Sequence, residues 1–391
     1  MSLDLIPRSA YSEDHEAFRS TVRRFLQTEI EPNSAKWAED GIVPRTIWPK
    51  AGELGMLCPT VPEEYGGLGL DFGYNAIVDE ESAYYGRVTT GFSLQSDIVA
   101  SYLIAYGSEE QKRKWLPGMV SGDVITAIAM TEPGTGSDLQ GMRTTAKKDG
   151  NHYVINGSKT YITNGQNANL ILVCCKTDSE IQPAWKGLSI VLVEGDRDGF
   201  KRGRNLDKIG MDEADTSELF FNDVRVPMTN CLGEEGKGFK YILDGLNAER
   251  TLIAAECIGD GYWFIDKVSQ YVKDRVVFGR PIGQNQGVQF PIARAYVNVE
   301  AANLMRFEAA RRFDAHEPCG TQANMAKLLA ADASWEAANA CLQFHGGFGF
   351  ACEYDVERKF RETRLYQVAP ISTNLILSYL AEHVLGMPRS Y

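Results

Sequence analysis

Glu249 and Arg250 set a carboxylate beside a guanidinium in the stretch Asn247-Ala248-Glu249-Arg250-Thr251-Leu252-Ile253. A carboxylate can take a proton and a guanidinium can hold an anion, so the pair could do chemistry if something positions it. The segment reads as helix: Leu246, Ile253 and Ile258 recur at roughly helical spacing, with Ala254 and Ala255 as helix formers between them. Consecutive helical residues diverge by about 100°. Glu249 and Arg250 therefore cannot address one point; one could face a pocket while the other anchors something beside it. Taken alone, an exposed helix carrying charges is the commoner meaning of such a pair.

Four other stretches bear on the choice. Thr131-Glu132-Pro133-Gly134-Thr135-Gly136-Ser137-Asp138 follows an expected strand; its glycines let backbone N–H groups approach an anion or a ring, and Thr and Ser add hydroxyl donors. A surface turn would use the same residues, and G-x-G-x-x-G is not met, which excludes a Rossmann fingerprint. Tyr161-Ile162-Thr163-Asn164-Gly165 sets an aromatic near a hydroxyl, which suits a flat ring, and reads equally as an ordinary strand and turn closing a hairpin. Arg275-Val276-Val277-Phe278-Gly279-Arg280-Pro281-Ile282, with Gln286 just after, ends a long helix, where an arginine already has a dipole reason to sit. Gln343-Phe344-His345-Gly346-Gly347-Phe348-Gly349-Phe350 is a helix exit with more glycine than a C-cap needs, which suggests close backbone approach to a ligand; His345 is a candidate acid or base there.

The elements that would carry these residues fall into three blocks: 1–122 helical, 123–236 strand-rich and 237–391 helical. Phe18, Val22, Phe25 and Leu26 form an apolar stripe, a helix is expected from about Tyr74 to Tyr85, and Ser108-Glu109-Glu110-Gln111 has the acidic first turn of a helix start. Short β-type runs follow: Val124 to Met130, Tyr153 to Ile155, Leu170 to Cys175, Leu188 to Val193 and Leu219 to Val226, with Asn156-Gly157 as a hairpin signal. Helical spacing returns from about Lys237, with Tyr262, Ile265, Val268 and Val272 on one helix and Ala323 to Phe344 on another. The α, β, α order argues against βαβ units and a parallel sheet.

Composition excludes several classes. The 391 residues are 44% hydrophobic and 24% charged with a net charge of -12, which argues against a nucleic-acid binder. No run of about 18 apolar residues is present, so no membrane span is expected. Residues 1–10 lack an apolar signal core, which together with unpatterned cysteines points to a reduced, cytosolic protein. Cys174 and Cys175 sit inside an apolar run and read as strand core. The five histidines are scattered, so no metal site is expected, and neither a G-x-S-x-G elbow nor a Walker A motif occurs.

In this order and spacing the stretches resemble the acyl-CoA dehydrogenase family, from about residue 12 to about 385. Pro62-Glu63-Glu64-Tyr65-Gly66-Gly67, Tyr106 through Gln111, Met130 through Asp138, Lys159 through Gly165, Lys208-Ile209-Gly210-Met211 and Asp215 through Pro227 carry the likeness, with Glu249-Arg250, Arg275 through Ile282 and Gln343 through Gly349. The resemblance implies an α+β protein with an N-terminal helical domain, a central β-barrel-like domain and a C-terminal four-helix bundle, usually a homotetramer. It implies FAD held by Met130, Thr131, Gly136, Ser137, Tyr161 and Thr163 of its own subunit, with Ser372 and Thr373 at the C-terminal turn. Arg275, Phe278, Gln286, Gln343, Gly346, Gly347 and Gly349 would reach the FAD of a neighbour. Arg250 would anchor the CoA part of an acyl-CoA substrate, with Ser137, Pro370 and Ile371 along it.

The implied chemistry is α,β-desaturation of the thioester, electrons passing to an electron-transfer flavoprotein. Most members carry the base as Glu in a Tyr-Glu-Gly-Thr stretch near the C-terminus. This chain has Leu365-Tyr366-Gln367-Val368-Ala369-Pro370-Ile371-Ser372-Thr373, with Pro370 at that position. A minority, resembling isovaleryl and long-chain acyl-CoA dehydrogenases, place the Glu directly before the Arg, where Glu249 stands; Glu249 is therefore the expected base. Proline has no N–H for the thioester carbonyl, so Ile371 must donate or the carbonyl must lean on the FAD ribityl hydroxyl. Acyl-pocket depth is expected to depend on Gln95, Ser96 and the 369–372 turn. Tyr161 stands where many members have Trp, which keeps an oxygen-reacting oxidase as an alternative. The missing C-terminal Glu keeps a non-catalytic flavoprotein as another.

Overall fold

The computed structural model describes residue 8 and residues 10–85 and 90–389. The 1–10 stretch read for a signal core thus lies outside the described residues apart from Arg8 and Ala10. The first block holds α1 (Glu13–Phe25), α2 (Ser34–Asp40), α3 (Ile47–Glu53), α4 (Phe72–Tyr85), a π-helical turn Leu94–Val99 running into α5 (Ala100–Tyr106), and α6 (Glu109–Ser121). Val22, Phe25 and Leu26 of the expected stripe are buried, with Phe18 packed against the same core. Ser108 and Gln111 close a reciprocal capping box at the start of α6. The Gln111 amide also donates to the Thr229 and Cys231 carbonyls, which ties α6 to the end of the sheet.

The second block is a curled, mainly antiparallel sheet: β1 (Thr126–Ala129), β2 (Thr145–Asp149), β3 (His152–Thr163), β4 (Leu170–Lys176), β5 (Leu188–Glu194), β6 (Phe200–Asn205) and β7 (Thr216–Pro227). Their order is β1-β4-β2-β3-β7-β6, with β5 on the other side of β4. β4 is apolar from Leu170 to Cys175 because both faces are covered: Leu170, Leu172 and Cys174 pack toward the helices, Ile171, Val173 and Cys175 into the sheet interior. Cys174 and Cys175 therefore point to opposite faces, as strand core.

Four expectations are corrected. Asn156-Gly157 is not a turn but lies inside β3, where the register shifts between Ile155 and Gly157; a Cβ on Gly157 would come within 2.3 Å of the Thr144 hydroxyl, so glycine serves close approach there. Residues 161–165 do not close a hairpin, since β3 and β4 are not neighbours. β1 and β2 both pair with β4 in parallel, so parallel pairing exists without a βαβ unit. β2 and β6 were missing from the reading because Lys147, Lys148, Asp149, Lys201 and Arg204 give them no apolar alternation.

The third block is built on α7 (Gly238–Asp274), a single helix of 37 residues, about 55 Å long. A hairpin of β8 (Val276–Val277) and β9 (Arg280–Pro281) follows, then α8 (Gln286–Asp314), α9 (Gly320–His345), α10 (Val356–Glu362) and α11 (Thr373–Tyr379). α7, α8 and α9 share one core with Tyr262, Phe264, Val299, Ala326 and Ala330. Glycines inside α7 mark where other elements press on it. A Cβ on Gly245 would lie 2.5 Å from the Tyr102 ring, and one on Gly259 would lie 2.2 Å from the Glu80 carbonyl of α4. α7 is thus clamped against the first block on either side of Glu249 and Arg250.

Candidate active site

Glu249 and Arg250 leave α7 toward different partners, as their 100° separation requires. Glu249 faces α5: the Tyr102 hydroxyl lies 3.4 Å from its Oε1 and 3.4 Å from the Ile242 carbonyl. The side chain is buried. Burial lifts its pKa to about 7, against the opposing pull of the Arg250 charge and the Tyr102 hydroxyl. Arg250 faces the other way, toward Tyr379 and Cys319. Its Nη1 is 3.4 Å from the Asn247 Oδ1, and its Nε is buried without a partner among the described residues. A buried guanidinium N–H left unpaired is costly unless a ligand accepts from it.

The Thr131–Asp138 loop is fixed at its root. The Glu132 carboxylate accepts from the backbone N–H of Arg143 at 2.6 Å and of Thr144 at 3.0 Å, and pairs with the fully buried Lys159 at 3.0 Å. Lys159 also donates to the Met130 carbonyl, and the Thr160 N–H to the Thr131 carbonyl. Those bonds hold Met130 and Thr131 beside the strand that carries Tyr161 and Thr163. Above the root the loop is open: a Cβ on Gly134 or Gly136 would meet nothing within 4 Å. The Thr131, Ser137 and Thr163 hydroxyls have no partner among the described residues. Tyr161 is 68% exposed at a φ of 58°.

Arg275, Gly346 and Gly347 meet in a second, open cleft of about 600 Å³, lined also by Tyr271, Phe348 and Glu353. Phe278 sits at the tip of the β8–β9 hairpin, wholly exposed at a φ of 54°. Gln343 is exposed on the last turn of α9 and Gln286 begins α8. Gly346 has φ 58° and ψ -133°, a conformation that favours glycine, and a Cβ on Gly346 or Gly347 would meet nothing. Gly349 differs: a Cβ there would lie 2.7 Å from the Leu342 carbonyl, so it serves packing against α9. None of the Thr131–Thr163 set lines this cleft, so one chain keeps the two groups apart.

Family models for the N-terminal, middle and C-terminal domains of acyl-CoA dehydrogenases match residues 12–123, 127–224 and 236–385. The chain belongs to the acyl-CoA dehydrogenase family. It is 39% identical over 381 residues to the long-chain specific acyl-CoA dehydrogenase, mitochondrial, of Sus scrofa, covering 97% of this chain and 89% of that protein. A crystal structure of acyl-CoA dehydrogenase from Geobacillus kaustophilus superposes with a TM-score of 0.94 at 41% identity, over 97% of this chain and all of that one. A glutaryl-CoA dehydrogenase from Mycobacterium smegmatis in complex with FADH2 superposes with a TM-score of 0.89 at 27% identity, over 98% of this chain and 97% of that one. Acyl-CoA dehydrogenases are flavin-dependent oxidoreductases, and this chain is one of that class.

Several site expectations meet a structural answer. The Ala369–Pro370 peptide is cis, and the Ile371 N–H has no acceptor among the described residues. The Ser372 hydroxyl caps α11 by accepting from the Leu375 N–H, and Thr373 opens that helix. Gln95 donates to the Met119 carbonyl and accepts from the Thr126 N–H, and Ser96 accepts from the Cys58 N–H. His345 is structural, stacked on Tyr271, with Nδ1 2.8 Å from the Cys341 carbonyl and its pKa lowered by burial. Two residues were missed. Tyr102 carried no sequence signal, since its partner is distant in the chain. Lys327, fully buried, donates to the Ile371 carbonyl at 2.9 Å; a lysine at a core position among alanines was the available sign. Among the described residues no helix is long and apolar enough to cross a membrane, and no group of three His, Cys, Asp or Glu could hold a metal ion.

Proposed function

We propose that this chain desaturates an acyl-CoA thioester between its α and β carbons to the trans-2-enoyl-CoA, with Glu249 as the base. The observation that carries the proposal is the Glu249 carboxylate itself: buried, touched by one hydroxyl, and raised to about 7 by its dry surroundings. A base near neutrality in a low-dielectric seam has both the right protonation state and the driving force to take an α-proton. Arg250, on the adjacent face with an unpaired buried Nε, holds the CoA part.

The residues present fit FAD. The open Gly134 and Gly136, the unpartnered hydroxyls of Thr131, Ser137 and Thr163 and the exposed Tyr161 ring supply backbone, hydroxyl and aromatic contacts for a flavin. FAD, when bound, accepts the β-hydrogen as hydride. Arg275, Phe278, Gln286, Gln343, Gly346 and Gly347 form the surface offered to the FAD of a neighbouring subunit in a homotetramer. Pro370 lacks an N–H, so the free Ile371 N–H is the donor available to the thioester carbonyl on that turn. An electron-transfer flavoprotein takes the electrons onward. The eight cysteines form no disulfide, which suits a reducing compartment such as the cytosol.

The test is anaerobic addition of an acyl-CoA panel to FAD-loaded wild-type and Glu249→Gln protein. Wild type is expected to lose the flavin's visible absorption within the mixing time, and the variant to slow by 10²- to 10⁴-fold. A folded, FAD-loaded variant that bleaches at the wild-type rate would remove Glu249 from the role.

A further inference from the structure

β3 leaves regular pairing where it carries Tyr161. Lys159 pairs with Leu219 of β7 and Ile162 with Ser217, so Thr160 and Tyr161 together stand opposite Glu218 alone. That is a β-bulge, which bends a strand and re-aims a side chain. The Thr160 N–H donates to the Thr131 carbonyl at 3.0 Å, and Tyr161 takes a φ of 58° with its side chain exposed. A bulky residue in the left-handed region is strained and persists only where its surroundings hold it. The Tyr161 ring supplies none of that hold, since it meets no other ring and no cation among the described residues.

The hold comes three residues on, at Asn164. This residue is also in the left-handed region, at a φ of 63°, which asparagine tolerates better than most side chains. It is buried. Its amide donates to the Gly91 carbonyl of the first block and to the Thr126 carbonyl of β1, both at 3.1 Å. Its backbone N–H donates to the Asp215 carbonyl at 2.9 Å, and its carbonyl accepts from the Ala168 N–H at 2.7 Å. A Cβ on Gly91 would come within 2.2 Å of Asn164 Oδ1, so the first block closes directly onto this side chain. The turn beyond is fixed too. The Asp215 carboxylate accepts from the Gln166 and Asn167 N–H groups at 2.7 and 2.8 Å, and Arg202 donates to the Gly165 and Ala168 carbonyls.

We propose that Asn164 is a positioning residue for the flavin: it clamps the strained bulge that aims Tyr161 at the isoalloxazine ring, and it acts on that ring through Tyr161. This rests on the proposed flavin contact of Tyr161. The strain sits at an exposed aromatic, whose own packing cannot offset it, while the bonds that offset it converge on a buried amide. Glycine would meet the backbone demand at residue 164 equally well. What asparagine adds is the pair of N–H donors that fasten the segment to β1 and to the first block. Backbone strain held in this way, beside a surface that takes a ligand, is a device for aiming a side chain.

A ring stacked on a flavin quenches its fluorescence, so the emission of the FAD-loaded protein, freed of unbound FAD, reads the placement of Tyr161 without turnover. Tyr161→Ala is expected to brighten the bound flavin. Asn164→Gly keeps the left-handed backbone and removes both amide donors; it is expected to brighten the flavin by a comparable factor. The double variant is expected to be no brighter than Tyr161→Ala alone, the non-additivity of two residues that act as one unit. A bound flavin as dark in Asn164→Gly as in wild type, or brightening that multiplies in the double variant, overturns the inference even if the melting temperature falls. Asn164→Asp, which keeps the size and turn preference and replaces the two N–H donors with an acceptor, is read the same way if the glycine variant folds poorly. The reading beneath fails separately: if Tyr161→Ala leaves the bound flavin unchanged, Tyr161 does not contact the ring and both fall, whereas brightening by Tyr161→Ala without brightening by either Asn164 variant removes the positioning role alone.

Discussion

The Tyr102 hydroxyl donates to Glu249 from α5 while its ring fills the space that Gly245 leaves open on α7. This one contact both aims the carboxylate and favours its charged form. With a pKa of about 7, the proposed base is half ionised near neutrality, so flavin reduction should rise tenfold per pH unit below 7 and level off above it. Tyr102→Phe removes a donor to the ionised form. Its acid limb should move to higher pH by roughly half a unit to one unit. Stopped-flow reduction rates across the range from pH 5 to pH 9 read the shift directly; an unmoved limb would show that Tyr102 only packs.

The same raised pKa has a cost in stability. Between the ordinary value of 4.5 and about 7, folded Glu249 holds a proton that the unfolded chain has already lost. Its contribution to stability therefore falls as pH rises through that window and stays low above it, by at most about 3 kcal/mol. Glu249→Gln escapes this loss. Thermal unfolding of FAD-loaded variant and wild type should nearly coincide at the acid end of the window, with the variant a few degrees higher above it. A constant difference at all pH values would mean that Glu249 is not desolvated as described.

Arg250 presents a buried Nε with nothing to bond. Arg250→Lys keeps the charge but removes that donor and the planar fork. The KM for acyl-CoA is expected to rise by about tenfold or more, with little change for a truncated acyl-pantetheine substrate. Steady-state kinetics with both thioesters decides: a rise of equal size for the two would place Arg250 near the acyl group instead of the CoA.

Much of this is legible in the sequence. α1, α6 and α7 follow from stripes and caps that are local in the chain, and β4 from an apolar run bounded by turn residues. The Glu249–Arg250 divergence follows from helical geometry alone. What was not legible depends on who sits across the fold. Gly157 looked like a turn residue because nothing in the sequence says that Thr144 crosses it. The bonds that Gln95 and Ser96 make to Met119, Thr126 and Cys58 are tertiary, so no local pattern announces them. β2 and β6 are charged on their open face, so their pairing carries no alternation.

Lys327 offers the sharpest separation of function from stability. Its ammonium is fully buried in α9 and its one hydrogen bond among the described residues goes to the Ile371 carbonyl. Burial lowers its pKa, and the nearby Arg250 charge lowers it further. A buried ammonium held by one neutral acceptor is an expensive way to stabilise a turn, and replacing it with an apolar side chain of similar length is often neutral or favourable. Lys327→Met should therefore leave the melting temperature of the FAD-loaded protein within a few degrees of wild type, or raise it. The 369–372 turn, however, loses its anchor, and with it the placement of the Ile371 N–H. Flavin reduction by the best acyl-CoA should slow by about tenfold or more, while the KM for CoA-based ligands moves much less. If the melting temperature instead drops steeply and the reduction rate of the surviving holoenzyme equals that of wild type, Lys327 holds the bundle together and does not position the turn.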